Sequence, residues 1–154
     1  MESARLAVVD DVAAIEAINA RQREEIRDER GGSLFLRREA GPAPVAPRLE
    51  HGLANDAIVV VGCYDEVIFG YGYAEVEELL DGSRLARLTD FVVDAEARKA
   101  GIGEAMMNLL IDEAKQRGCI GIDSVALPGD RNTKNFFESF GLKARMLTVH
   151  KAFD

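Results

Sequence analysis

The sequence predicts one α/β domain over residues 1–154, with a central, mostly antiparallel sheet flanked by helices. The length of 154 residues lies near the commonest domain size and allows one hydrophobic core. Short β-branched runs bounded by turn residues indicate strands, and longer segments with apolar residues at helical spacing indicate helices. The predicted order is β-α-α-β-β-β-α-β-α-β.

The first third of the chain predicts one strand and two helices. Residues 5–9 form a short apolar run, after which Asp10 or Asp11 offers an N-cap to a helix that ends at Gly31-Gly32. Residues 41–47 read Gly-Pro-Ala-Pro-Val-Ala-Pro, and proline both removes backbone donors and restricts its predecessor. We therefore expect an exposed loop there, with a short helix at 49–54.

The middle of the chain predicts three strands joined by turns. The strands cover residues 57–64, 67–77 and 84–93. Asp65-Glu66 and Asp81-Gly82 supply the turns, so neighbouring strands are expected to be antiparallel. Gly70 and Gly72 interrupt the second strand, which suggests close approach by another chain segment or by a ligand.

The last third predicts two helices alternating with two strands. These elements cover residues 103–117, 120–127, 133–139 and 146–153. The first helix has the clearest apolar face, and Gly118 suits a left-handed residue at its end. Gly141 has the same position after the second helix.

Net charge and composition exclude several classes of protein. The chain carries a charge of −8 without any Lys/Arg-rich run, so a nucleic-acid partner is not expected. An acidic surface attracts a cationic small molecule or a lysine-bearing acceptor, although it also serves solubility alone. Two cysteines do not make a disulfide scaffold, and His51 and His150 lack metal-ligand spacing, so no metal is expected.

The N-terminal residues carry no apolar signal-peptide region, and the longest apolar run, 57–61, is too short to cross a membrane. These features predict a cytoplasmic protein without a membrane partner.

The segment from Arg98 to Gly103 has the features of an anion site. Gly101 and Gly103 let backbone approach a ligand, and the first N–H groups of the following helix lack internal partners. Arg98 and Lys99 add positive charge, so a pyrophosphate would fit here. The alternative is a tight strand-to-helix turn that needs glycine for geometry alone.

Residues 88–103 resemble the acyl-CoA signature of the GNAT superfamily of N-acetyltransferases, in which an Arg or Gln is followed by two spaced small residues. Arg98, Gly101 and Gly103 fill those places. Residues 130–142, Asp-Arg-Asn-Thr-Lys-Asn-Phe-Phe-Glu-Ser-Phe-Gly-Leu, resemble the second block of the family, Asn-x-x-Ala-x-x-Phe-Tyr-Glu-x-x-Gly-Phe. The element order is also that of the family.

The resemblance implies an acetyl-CoA cosubstrate and an amine acceptor, either a small molecule or a peptide, with a homodimer as a further expectation. It implies that the strand backbone at 91–93 pairs with the pantetheine arm, that 98–103 holds the pyrophosphate, and that the helix at 133 flanks the arm. The expected acetyl-CoA-binding residues are Phe91, Val92, Val93, Arg98, Lys99, Ala100, Gly101, Ile102, Gly103, Asn132 and Phe137.

The sequence departs from the family at the groups that move protons. The usual acid, a tyrosine, is replaced by Phe137, and Thr89 stands where a related branch has a glutamate base. Asp90 is the nearest carboxylate, but strict alternation along the strand directs it to the face opposite Thr89. Two interpretations are open for Glu75 on the preceding strand: its side chain reaches the cleft, or it belongs to a solvated strand face. The catalytic candidates are Glu75, Thr89 and Asp90.

Three functions follow from these residues. The first is transfer of an acetyl group from acetyl-CoA to a primary amine by direct attack, with water as proton acceptor. The second is an acyl-CoA-binding sensor or partner module without turnover, which the replacements at Thr89 and Phe137 favour. The third is an acyltransferase that acts on protein lysines or N-termini through an open groove.

Overall fold

The computed structural model describes residues 1–98 and 100–153, and it contains one five-stranded sheet in the order β1-β2-β3-β4-β5. The strands are β1 Glu2–Leu6, β2 Ile58–Tyr64, β3 Val67–Glu78, β4 Arg84–Val93 and β5 Cys119–Asp123. The first three pairings are antiparallel and β4 pairs with β5 in parallel. The predicted mixed, mostly antiparallel sheet is therefore confirmed.

The helices are α1 Val12–Arg27, α2 Gly32–Arg38, α3 Ala46–Ala54, α4 Ile102–Gln116 and α5 Arg131–Ser139. The sequence interpretation missed α2, because Gly31-Gly32 indicated only the end of a helix. Gly31 adopts a left-handed φ of 78° directly before α2, so the same glycine pair separates two helices. No helix of the described residues has the length and apolarity needed to cross a membrane.

Each face of the sheet has its own hydrophobic core. Helices α1 and α3 cover one face, and α4 covers the other. The first core includes Ile15, Ile18, Leu49, Tyr71 and Tyr73. The second includes Ile102, Met106, Met107, Leu110 and Phe137. Since the apolar stripe of α4 is fully buried, the N-terminus of α4 is held in a fixed position against the sheet.

Glycines in β2 and β3 allow α4 to pack closely. A Cβ atom at Gly62 would lie 2.5 Å from the sulfur of Met106, and one at Gly70 would lie 2.9 Å from the same sulfur. Distances below 3.0 Å do not occur for real Cβ atoms, so both positions require glycine. The close approach that Gly70 predicted is made by the backbone of β4, with Val92 O 2.7 Å from the virtual Cβ, and by Met106 of α4.

The C-terminal part of the chain differs from the prediction. Residues 143–153 have no regular secondary structure, so the strand predicted at 146–153 does not form. An isolated strand leaves its backbone donors and acceptors unpaired, and no strand of the described residues pairs with this segment. Strand β5 ends at Asp123, not at Leu127, because its pairing with β4 stops there.

Candidate functional site

The candidate site lies along the second half of β4, where one extra residue interrupts the pairing with β3. Tyr73 lies opposite Asp90, whereas the next residue of β3 lies opposite Leu88. Thr89 is therefore the extra residue of a β-bulge. Thr89 Oγ1 donates to Asp90 Oδ1 at 2.8 Å. The prediction that these two side chains point to opposite faces is wrong, because the bulge resets the alternation.

Asp90 is the centre of a buried polar network. Arg48 of α3 donates through both terminal nitrogens, at 3.0 Å to Oδ1 and 2.9 Å to Oδ2. The Tyr71 hydroxyl donates to Oδ2 at 2.6 Å and accepts from Asn19 Nδ2 of α1 at 2.8 Å. Together with the Thr89 hydroxyl, these side chains form four hydrogen bonds to the carboxylate, which offers about four acceptor positions. Asp90 is therefore a structural group whose acceptor positions are already filled by protein donors.

The groups that surround Asp90 keep their protons. Burial raises the pKa of Tyr71 well above its usual value, and the negative charge of Asp90 raises it further. Burial alone would lower the pKa of Arg48, but the hydrogen bonds to Asp90 and its charge outweigh burial and raise it. Tyr71 therefore remains a hydrogen-bond donor, and Arg48 remains a cation.

A small cavity adjoins this network. It has a volume of about 30 Å³ and lies between α1, α2, the following loop and the bulge of β4. Thr89, Asp90 and Arg48 form its polar wall, whereas Phe35 and Ile26 form part of its apolar wall. The Nε atom of Arg48 is buried without a hydrogen-bond partner among the described residues. A polar cavity of this size holds a single water.

Strands β4 and β5 separate at this point of the sheet. Their paired positions end at Arg87 and Asp123, after which one side-chain bond, from Ser124 Oγ to Leu88 O at 3.1 Å, joins the two segments. Within the described residues, no strand pairs with the β5 side of β4 from Thr89 to Val93. An extended ligand can therefore lie along this exposed backbone edge and bond to it as an added strand.

The glycine-containing loop lies at the far end of the opening. Gly101 adopts a left-handed φ of 81° immediately before α4, a conformation that side chains rarely tolerate. The Ile102 side chain is fully buried, so only its backbone can face a ligand, and Ala100 packs against the same core. Gly103 faces Phe136, with a virtual Cβ 3.3 Å from that ring. Lys99 lies outside the described residues.

Carboxylates surround the positive charge of this loop. Arg98 donates to Glu25 Oε2 of α1 at 2.9 Å and to Val93 O at 3.1 Å. Burial raises the pKa of the Glu29 carboxyl, and the negative charges of Asp130 and Glu25 raise it further. Both partners of the Arg98–Glu25 pair are about half exposed. A pyrophosphate can therefore replace the glutamate as the partner of Arg98.

Helix α5 closes the other side of the opening. Its N-cap is Asp130, which accepts from the Thr133 backbone N–H at 3.1 Å and from the Thr133 hydroxyl at 2.6 Å. Asn132 is exposed in the first turn. Phe137 is 7% exposed, and its ring lies 6.0 Å from that of Phe91. The residue that replaces the family tyrosine is therefore a core residue.

Glu75 lies in a different cleft. It faces Arg87 at 3.4 Å across the β3–β4 pair and lines an open cleft of about 250 Å³ with His51 and Tyr73. Within the part of the chain that the structure describes, no hydrogen bond joins Glu75 to Thr89 or Asp90. The structure therefore brings Thr89 and Asp90 together and leaves Glu75 apart from them.

The sequence interpretation missed Arg48 and Asn19 as parts of the site, and it offered Tyr71 as a tyrosine that either supplies a phenol or packs in the core. Arg48 of α3 and Tyr71 of β3 donate to Asp90, Asn19 of α1 donates to Tyr71, and only the fold brings these residues together. Tyr71 carried a weak signal as a tyrosine on the strand before β4. No group of three potential metal ligands occurs among the residues that the structure describes.

Comparisons with known proteins agree with this geometry. The model of the acetyltransferase (GNAT) family matches residues 15–142. The tetramutant of the BH1408 protein from Bacillus halodurans has a TM-score of 0.81 at 20% identity, over 97% of this chain and 99% of that one. A transcriptional regulator from Bacillus halodurans C-125 has a TM-score of 0.70 at 23% identity, over 99% and 100% of the two chains.

A third structure is AAC(6')-Iy in complex with the bisubstrate analog CoA-S-monomethyl-acetylneamine, with a TM-score of 0.75 at 13% identity over 100% and 99% of the two chains. No protein of curated function matches the sequence. The structural likenesses establish the shared fold, and the family match covers most of the chain. This chain therefore belongs to the GNAT family of acetyltransferases.

Proposed function

We propose that the protein transfers an acetyl group from acetyl-CoA to a primary amine by direct attack. The observation that carries this proposal is the opening between β4 and β5, where the edge of β4 from Thr89 to Val93 has no β5 partner among the described residues and starts at a residue that lines the cavity. A CoA-containing analog bound to a protein of the same fold supports the cosubstrate. Acetyl-CoA would bind with its pyrophosphate at the Gly101 loop, and the amine would bind at the end near Thr89 and Asp90.

The pantetheine arm lies along the backbone of Phe91, Val92 and Val93 as an added strand. A backbone N–H of β4 donates to the thioester carbonyl and stabilises the negative charge that develops there during attack. The pyrophosphate binds the first N–H groups of α4 together with Arg98 and Lys99, and it displaces Glu25 from Arg98. Asn132 and Phe137 belong to the helix that flanks the arm.

Water accepts the proton of the amine. The nitrogen–carbon bond forms, the carbon–sulfur bond breaks, and the CoA thiolate leaves with the electron pair. Asp90 does not act as the base, since its acceptor positions are filled. Thr89, which lines the cavity, can instead hold a water there through its hydroxyl oxygen, and that water takes the proton. The CoA thiolate can leave without an acid at position 137, where the family tyrosine is replaced by Phe137, because a thiol has a pKa of only about 8.5.

The acceptor is the amine of a small molecule or of a peptide. The chain has a net charge of −8, which favours cationic acceptors at long range. The charged side chains among the residues that line the cavity are two arginines, Arg23 and Arg48, and one carboxylate, Asp90. A useful panel of acceptors must therefore include amines that also carry a carboxylate or a phosphate.

A second candidate function is acyl-CoA binding without turnover. The observations that favour it are the buried Phe137 and the occupied acceptor positions of Asp90. A transcriptional regulator among the proteins of the same fold is compatible with this candidate.

Thiol release from acetyl-CoA separates the two functions. We expect release above the no-acceptor background with at least one of a panel of polyamines, amino acids, sugar phosphate amines, aminoglycosides and peptides. Thr89→Val keeps the shape of the residue and should lower kcat without changing acetyl-CoA affinity. If calorimetry detects acetyl-CoA binding but no acceptor releases thiol, the binding module replaces the enzyme. Absence of binding would contradict both functions.

A further inference from the structure

The open cleft that Glu75 lines takes no part in the candidate site. It has a volume of about 250 Å³ and lies where the end of α3 meets the start of β2 and the second half of β3. Pockets that hold drug-sized ligands begin at about 300 Å³. This cleft therefore has room for a smaller organic molecule.

The polar residues of this cleft, which we call the α3–β3 cleft, favour a cation. They are His51, Asn55, Asp56, Tyr73 and Glu75, and the two that are charged at pH 7 are both acidic. No lysine or arginine of the described residues lines the cleft. A positively charged group would therefore be attracted by the side chains that surround it.

The carboxylate of Glu75 has acceptor positions to offer. Among the described residues it accepts one hydrogen bond, a long one of 3.4 Å from Arg87. The side chains of Arg87 and Glu75 are 55% and 47% exposed, so the pair contributes little to stability. A carboxylate offers about four acceptor positions. Glu75 thus differs from Asp90, whose positions are filled, and it can bind a further donor.

Tyr73 brings a buried phenol to the same cleft. The residue is 2% exposed, and within the described part of the chain its hydroxyl forms no hydrogen bond of normal geometry. Burial raises the pKa of Tyr73, and the negative charge of the nearby Glu75 raises it further. The phenol therefore stays neutral. A largely buried hydroxyl without a fixed partner gains a hydrogen bond when a ligand enters.

Gly52 of α3 makes room for this hydroxyl at the wall of the cleft. A Cβ atom at residue 52 would lie 2.5 Å from the Tyr73 hydroxyl oxygen and 2.7 Å from its ring carbon Cε2. Distances below 3.0 Å do not occur for real Cβ atoms, so a side chain at this position would displace the phenol. Gly52 also lines the cleft. The hydroxyl is therefore held beside the space that a ligand would fill.

The α3–β3 cleft is separate from the cavity at Thr89. No described residue lines both. Arg48 lines the cavity and lies over the Tyr73 ring, with its guanidinium carbon 4.8 Å from the ring centroid. The contact between Arg48 and Tyr73 thus stands between the two spaces.

We propose that the α3–β3 cleft is a binding site for a small organic cation that carries a primary ammonium group on an alkyl body. The ammonium donates to the Glu75 carboxylate and to the Tyr73 hydroxyl oxygen, and the alkyl part lies against Ala57. The site does not depend on acyl transfer, because it uses none of the residues assigned to acetyl-CoA or to the cavity at Thr89.

Titration of the 15N-labelled protein with butylamine, in the absence of acetyl-CoA, tests this site. We expect saturable changes in the amide resonances of residues 51–57 and 73–76, with a dissociation constant of about 1 mM. Butan-1-ol has the same alkyl chain without the charge and should cause no saturable change there. Absence of saturable changes with butylamine up to about 20 mM would overturn the proposal.

Two variants remove the two groups that bind the ammonium. Tyr73→Phe removes only the hydroxyl, and Glu75→Gln removes only the charge. Each should raise the dissociation constant of butylamine by at least about tenfold. The amide spectrum of each variant shows whether the fold is kept. Glu75 is about half exposed, so Glu75→Gln remains a valid test even if Tyr73→Phe unfolds the chain.

Glu77→Gln is the matched control. Glu77 lies two residues further along β3, on the same face of the strand, and does not line the cleft. It should change the dissociation constant by less than about twofold. An equal loss of affinity in Glu77→Gln would mean attraction to the acidic surface in general and would overturn the site. Unchanged affinity in a folded Tyr73→Phe or Glu75→Gln variant would overturn it too, as would resonance changes confined to the cavity residues Ile26, Phe35 and Gly41.

Discussion

The two arginine–carboxylate pairs of the candidate site differ in burial and in bonding. Arg48 and Asp90 have side chains that are 18% and 9% exposed, and the carboxylate is also bonded to Tyr71 and Thr89. Arg98 and Glu25 are 54% and 50% exposed and form a single bond of 2.9 Å. The first pair fixes α3 to β4. In the second pair, an anionic ligand can replace the carboxylate as the partner of the arginine.

This difference shows that residue type alone does not identify a binding group. A buried, doubly hydrogen-bonded pair is costly to break, because removal of one partner leaves the other charged and unsolvated. An exposed pair contributes little, so exchange of its carboxylate for a phosphate costs little. The following predictions test whether the two pairs differ in this way.

The largest effect is expected for Asp90→Asn, which removes the charge that neutralises Arg48. We expect the free energy of unfolding to fall by about 3 kcal/mol, measured by urea denaturation. Arg48→Met should cost a similar amount, and the double variant should cost clearly less than the two single changes together. Additive losses would show that the two side chains do not act as a pair.

Arg98→Glu should weaken acetyl-CoA binding by at least about a hundredfold while the unfolding midpoint stays nearly constant. The reason is that a pyrophosphate would meet a negative charge in place of a positive one. Isothermal titration calorimetry measures the affinity. Arg38→Glu changes a 73% exposed arginine outside the site and should leave affinity unaltered. Unchanged affinity in the Arg98 variant would remove the pyrophosphate from this loop.

The Arg5–Asp11 pair is intermediate, with side chains 49% and 7% exposed. The hydrogen bonds from Arg5 lower the pKa of Asp11 below its ordinary value of 3.8, although burial opposes this. A lowered carboxyl pKa contributes stability above the unfolded value, and this stability is lost as pH falls through the folded value. Asp11→Asn should therefore cost about 1–2 kcal/mol at pH 7 and less below pH 3.8. A pH-independent difference in unfolding free energy would contradict this assignment.

The smallest effect is expected for Glu25→Gln, which frees Arg98 from its carboxylate. Acetyl-CoA affinity should rise by about two- to fivefold at low ionic strength, and the gain should shrink with added salt. Glu24→Gln alters the neighbouring glutamate, which pairs with Arg27, and serves as the control in the same titration. A loss of affinity in the Glu25 variant would mean that the ion pair orders the loop and does not compete with the ligand.

The parts of the molecule that depend on local sequence were predictable. The bounds of β4 match the prediction, and α4 begins one residue before its predicted start. Gly101 and the helix after it indicate an anion site because turn geometry and unpaired N–H groups follow from short-range rules. The resemblance to the GNAT family extends over the same residues, and the family match confirms it.

The rest of the site depends on contacts between distant residues. The bulge at Thr89 follows from the pairing with β3, and nothing in the run Leu88-Thr89-Asp90 indicates it. Arg48 reaches Asp90 from a position 42 residues earlier in the chain. The prediction of a C-terminal strand was wrong for a similar reason, because no strand of the described residues pairs with its β-forming residues.

The separation of β4 from β5 has a consequence for hydrogen exchange. An interior strand normally protects its amide hydrogens better than any other element. Here β4 is the fourth of five strands, yet no strand of the described residues pairs with the amides of residues 89–93 that face the opening. These amides should exchange quickly, although the side chains of the same residues are buried or partly buried. Their exchange rate therefore reports whether a ligand occupies the opening.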